Sequence, residues 1–112
     1  MQLNTEELSE NVTKVILNGS LDLAGAEEIG LKMSVLAGSR KSLLVDLEAL
    51  SFLSSMGIRT LLTAAKTILR RGGKLILLKP NPTVHKVLLT TGCDALMPIT
   101  QELDEALRLL AA

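Results

Sequence analysis

Two adjacent hydroxyls, Ser54 and Ser55, are the residues of this chain best placed to do chemistry. They stand in Ser54-Ser55-Met56-Gly57, between a buried strand expected over Ser42 to Leu47 and an amphipathic helix beginning near Met56. A serine at such a start caps the helix by accepting from a free N–H of the first turn. The same N–H groups and the helix dipole also favour a phosphate there. Other candidates for chemistry are sparse. His85, the only histidine, sits in a helical stretch with no carboxylate neighbour to orient its ring, and reads as a solvated helix residue. Cys93 is the only cysteine, flanked by Asp94, whose charge has the wrong sign to make a thiolate; it reads as a small buried hydrophobe. Asp22, Asp46, Glu48 and Asp94 form no recognisable acid–base pair, and one His with one Cys makes a metal site unexpected. Gly72-Gly73 closes a helix, whereas a phosphate cradle would open one. The reading is a binder or a substrate, with no catalytic residues and no cofactor.

The elements that must position these serines follow from periodicity. Leu3 to Thr5 and Val12 to Asn18 read as strands joined by the polar Glu6 to Asn11, and Gly19-Ser20-Leu21-Asp22 is expected to break the second. A helix is expected from Ala24 to Ala37, burying Ala26, Ile29, Met33, Leu36 and Ala37. Gly25 and Gly30 oppose it, at about 1 kcal/mol each. The clearest helix buries Ile58, Leu61, Leu62, Ala65, Ile68 and Leu69 and exposes Arg59, Thr63, Lys66 and Arg70. Arg59 falls one turn beyond Ser55 and would be carried beside it. A strand over Lys74 to Leu78, a helix over Thr83 to Thr91, a strand over Met97 to Ile99 and a last helix capped by Thr100 complete the order. Strands alternating with helices give one α/β domain over residues 1–112, a mixed sheet of about four to five strands with four helices.

Composition bounds the partners. The 112 residues hold twelve basic and twelve acidic side chains, so no net field favours nucleic acid or an anionic membrane. Phe52 is the only aromatic residue, which removes the stacking that RNA binding uses. No apolar run is long enough to span a bilayer. Met1 to Glu7 has neither the basic nor the apolar part of a signal peptide, and a lone cysteine fits a reducing cytoplasm.

Gly19-Ser20-Leu21-Asp22, Val45-Asp46-Leu47, Leu50 to Gly57, Gly72 to Leu77 and Leu88 to Gly92 together make the chain resemble a STAS domain of the bacterial anti-sigma factor antagonist type. The resemblance implies a partner switch. The unmodified protein would bind an anti-sigma factor serine kinase with a histidine-kinase-like ATPase fold. That kinase would phosphorylate Ser55 and so dissociate the pair, and a PP2C-type phosphatase would reset it. Ser54 stands where the family has aspartate, and Met56 where it has a small residue. These departures favour an alternative, a STAS adaptor that takes no phosphate and serves in a scaffold or lipid-transport complex. The partner surface is expected to join the Gly19 to Ala24 loop to the start of the second helix through Ser20, Asp22, Ser54, Met56, Gly57 and Arg59. Asp22→Ala is expected to weaken binding without changing thermal stability.

Overall fold

A computed structural model describes residues 1–112. Six strands and four helices follow in the order β1 (Gln2–Glu7), β2 (Val12–Leu21), α1 (Leu23–Ser39), β3 (Ser42–Asp46), β4 (Leu50–Leu53), α2 (Ser55–Arg70), β5 (Leu75–Leu78), α3 (Pro82–Thr90), β6 (Ile99–Thr100) and α4 (Leu103–Ala111). A single 3-10 turn, Cys93–Ala95, precedes β6. The sheet runs β1-β2-β3-β5-β6, with β4 attached to β2. β1 pairs antiparallel with β2, and every other pair is parallel, as helical crossovers require. The α/β class, the opening hairpin and the four helices agree with expectation; the strand count is six, against the four to five expected.

Period-two alternation divides the core between the two sheet faces. Val15, Leu17, Leu43, Val45, Leu75 and Leu77 point into the large cluster shared with α1, α2 and α3. Their neighbours Leu44, Ile76 and Leu78 point the other way, where α4 contributes only Ala106 to the buried set. Three helices thus cover one face and one short helix the other.

Three expectations need correction. The second strand does not end at Gly19. It runs on to Leu21 and changes partner: Val12–Ile16 pair with β3, and Gly19–Leu21 pair with β4. Gly19 is the pivot, at φ +119°, where the register shifts and where a side chain would be strained. Leu69, expected inside, is 42% exposed, and Ala64 takes its place in the core. α2 packs against α1 as well as the sheet, which turns its buried stripe toward the two alanines. Thr100 lies in β6 and donates to the Leu77 carbonyl at 3.3 Å; the residue before α4 is Glu102, without a side-chain cap.

Other local readings hold. Cys93 is buried, and α1 buries the face expected for it. Gly25 is required by the close approach of the strand end, because a Cβ there would run into the Ser20 carbonyl oxygen. At the far end, Arg71 donates to the carbonyls of Ala37 and Arg40 at 2.7 Å each, tying the end of α1 to the end of α2.

Candidate functional site

Leu21 of β2 faces Leu53 of β4. The next residue on each strand, Asp22 and Ser54, is the cap of the helix that follows. Strand pairing therefore sets the N-termini of α1 and α2 side by side. Asp22 Oδ1 accepts from the Gly25 N–H at 2.7 Å, and Ser20 Oγ donates to Asp22 Oδ2 at 3.4 Å. Ser54 Oγ accepts from the Gly57 N–H at 3.1 Å and donates to the Leu21 carbonyl at 2.8 Å. Each cap satisfies a first-turn donor that would otherwise be bare.

Gly57 permits the close docking of α2. A Cβ there would lie 2.7 Å from both the Cγ and the carbonyl oxygen of Leu21. Only a residue without a side chain lets the helix start rest on the end of β2. Asn81 anchors the neighbouring α3 in a similar way: its Oδ1 accepts from the Val84 N–H at 2.8 Å, and its Nδ2 donates to the Leu50 carbonyl at 3.1 Å.

With Ser54 spent on the cap, Ser55 is the first residue of α2 and is exposed. α2 is capped by a neutral serine and has no acidic residue in its first turn, so the positive end of its dipole faces this edge uncompensated, whereas that of α1 meets the carboxylate of its cap, Asp22. Arg59 is exposed one turn along α2, and none of the chain's four ion pairs uses Arg59, Lys66 or Arg70. The structure brings together every residue singled out from the sequence: Ser20, Asp22, Ser54, Ser55, Met56, Gly57 and Arg59. It also divides their work. Asp22, Ser54 and Gly57 build the edge, whereas Ser55, Met56 and Arg59 face outward.

Sequence reasoning missed two residues at this edge. Leu23 is 57% exposed at the first position of α1, and Phe52 is 51% exposed on β4, beside Ser20 in the register. With Met56, also exposed, they put apolar side chains on the three segments that meet at this edge, the starts of α1 and α2 and the end of β4. The available signal was Phe52 itself, a lone aromatic in a serine-rich segment of a chain whose core is aliphatic. His85 is half-buried in α3, more covered than expected. No cluster of His, Cys, Asp and Glu is arranged to hold a metal, and no helix is long and apolar enough to cross a membrane.

The chain has known relatives. The family description "STAS domain" matches residues 3–106. The anti-sigma F factor antagonist of Lysinibacillus sphaericus is 30% identical over 105 residues, spanning 91% of this chain and 90% of that protein. Among solved structures, the Bacillus cell fate determinant SpoIIAA in its phosphorylated form superposes with a TM-score of 0.74 at 27% identity, covering 96% of this chain and 99% of that one. An anti-sigma factor antagonist from Mycobacterium paratuberculosis gives 0.85 at 25% identity, covering 99% and 94%. A match over nearly the whole length, in sequence and in fold, makes this chain a member of the STAS domain family.

Proposed function

We propose that this protein is an anti-sigma factor antagonist whose partner binding is switched by a phosphate on Ser55. The observation that carries the reading is the separation of the two serines: Ser54 holds the helix, and Ser55 is left exposed at an edge whose elements also expose Leu23, Phe52 and Met56. Without phosphate, these apolar side chains and the Ser55 hydroxyl form a surface that an anti-sigma factor can cover. Ser20 and Arg59 border it, and Asp22 and Gly57 fix its shape. The anti-sigma factor is a kinase-type ATPase, and its capture releases a sigma factor in the cytoplasm.

The switch needs little from this chain beyond a hydroxyl. Ser55 Oγ attacks the γ-phosphorus of ATP, an O–P bond forms as ADP leaves, and the proton passes to a base on the kinase. The product carries about −1.5 to −2 charges in the middle of the contact. Covering that charge without a partner costs several kcal/mol, enough to change affinity by orders of magnitude. The fold tolerates it, because the phosphate sits at the positive end of α2. A PP2C-type phosphatase then restores the binding form.

Met56, 40% exposed beside the hydroxyl, favours a second reading in which the domain is an adaptor that takes no phosphate. One experiment separates them. The protein is incubated with ATP and the histidine-kinase-like ATPase of its own organism, and the phosphate is located by mass spectrometry. Phosphate on Ser55 is expected. None on the chain selects the adaptor, and phosphate on Ser54 reverses the assignment of the two serines.

A further inference from the structure

β1 is the edge of the sheet, paired only with β2, so one side of its backbone has no ladder partner. α1 lies alongside it. A groove of about 580 Å³ between the two is lined by Leu3, Asn4, Thr5, Leu31, Lys32 and Val35. Leu31 is 78% exposed and Val35 59%, one helical turn apart. Natural sheets seldom leave an open strand edge beside exposed apolar side chains, because both invite association.

We propose that a second copy of this chain covers this edge, with β1 pairing antiparallel to β1 about a two-fold axis at Thr5. Side-chain alternation restricts the register. Leu3, Thr5 and Glu7 lie opposite Leu17, Val15 and Thr13, and so share the sheet face that α1 covers. A strand added in the same plane must keep that face, so odd residues meet odd residues. With Thr5 on the axis, Leu3 meets Glu7 of the second copy. Lys32 lies beside Leu3 and forms no ion pair within its own chain. The pairing brings its ammonium to that carboxylate, once at each end of the interface. The Glu7 side chain bonds Thr13 and Arg40 yet stays 56% exposed, leaving lone pairs for a further donor. A parallel arrangement would instead set Glu6 and Glu7 against their own copies, which is repulsive. Leu31 and Val35 close across the axis above the extended sheet. The surface uses β1 and the middle of α1, so it stands apart from Ser55 and does not depend on the partner switch.

Sedimentation velocity over a concentration series tests the pairing. The wild-type mass should rise from 12.0 kDa toward twice that value. Leu31→Glu, on the exposed face of a helix, should weaken association by roughly tenfold or more while leaving the circular dichroism unchanged. The decisive arm uses two charge reversals. Lys32→Glu and Glu7→Lys should each dissociate alone, because each homodimer then carries two like-charge contacts. Mixed together they should recover dimer, because each mixed pair contains one reversed and one native contact, both attractive. A constant 12.0 kDa mass at every concentration would overturn the proposal and point to a strand from another protein as the occupant. So would a dimer that neither Leu31→Glu nor the reversals weaken, or a mixture that does not recover. If Glu7→Lys does not fold, Leu31→Glu decides alone.

Discussion

The Leu21 carbonyl accepts twice from Ser54, from its backbone N–H at 2.9 Å and from its hydroxyl at 2.8 Å. The same hydroxyl accepts from Gly57 at 3.1 Å. One side chain thus joins the end of β2 to the first turn of α2. The position of Ser55 is consequently fixed by the sheet as much as by its own helix.

Ser54→Ala should remove both the cap and the tie to Leu21. The expected cost is about 1–2 kcal/mol, measured by urea denaturation. Ser54→Asp should cost less, since a carboxylate still accepts from Gly57. It should not reach wild-type stability, because an ionised carboxylate cannot donate to the Leu21 carbonyl. Equal stability of the Asp and wild-type proteins would mean that attraction of the carboxylate to the α2 dipole offsets the lost hydrogen bond to Leu21.

Gly57→Ala sets two effects against each other. Alanine is the better helix former by about 1 kcal/mol. Its methyl would sit 2.7 Å from two atoms of Leu21, and one of them is backbone and cannot swing away. Overpacking of this kind costs roughly 1–3 kcal/mol, so the variant should be less stable than wild type. A stabilised variant would show that α2 can lift off β2 at little cost.

These relationships mark the limit of what the sequence disclosed. The α2 segment is legible because its apolar period is a local property of the chain. β4 is not: Leu50 and Leu53 are buried while Ser51 and Phe52 are exposed, a pattern that does not alternate. Its partner is the part of β2 beyond Gly19, where the sequence suggested a break. That the Asp22 and Ser54 segments share a surface was legible, since both follow strand ends where an α/β sheet gathers its loops; the direct pairing of Leu21 with Leu53 that makes the two caps neighbours is non-local and was not. Leu69 was misplaced for a related reason: a hydrophobic period defines a stripe, and contact with α1 rotates it.

Asp22 and Arg59 should now behave differently from each other. Asp22 caps α1, so Asp22→Ala should lower the thermal midpoint, with a cost of about 0.5–2 kcal/mol, contrary to the expectation from sequence. Arg59 is exposed and in no ion pair. Arg59→Ala should therefore leave the midpoint within about 0.5 kcal/mol of wild type and act only on partner binding. Differential scanning calorimetry of the two variants distinguishes an edge builder from a surface contact.

Ser55→Ala should stay folded and hold the anti-sigma factor even when ATP is present, because no phosphate can be added. Ser55→Asp should bind it poorly while keeping the wild-type midpoint or exceeding it slightly, since a carboxylate in the first turn suits the helix dipole. Titration calorimetry against the kinase-type ATPase reads both outcomes. If Ser55→Asp binds as tightly as wild type, charge at this position is not the switch.

Glu7 gives the fold a dependence on acid that is separate from the switch. The Thr13 hydroxyl, donating at 2.7 Å, holds the Glu7 carboxyl below its ordinary pKa; Arg40 adds to this, and desolvation partly opposes it. A lowered folded-state value means that the unfolded chain takes up the proton first on acidification. The ionised form therefore contributes stability above the usual glutamate range, and that contribution fades as the pH falls through the lowered value. Glu7→Gln should be less stable than wild type at neutral pH, by a margin that holds above the usual glutamate range and closes as the pH falls through and below it. Urea midpoints of the two proteins across this range measure the margin. Arg40→Ala should narrow the gap less than loss of the Thr13 hydroxyl does, because the Thr13 hydrogen bond is the larger cause. A gap that widens in acid would mean that Glu7 is held in its protonated form, and that neither partner acts on the charge.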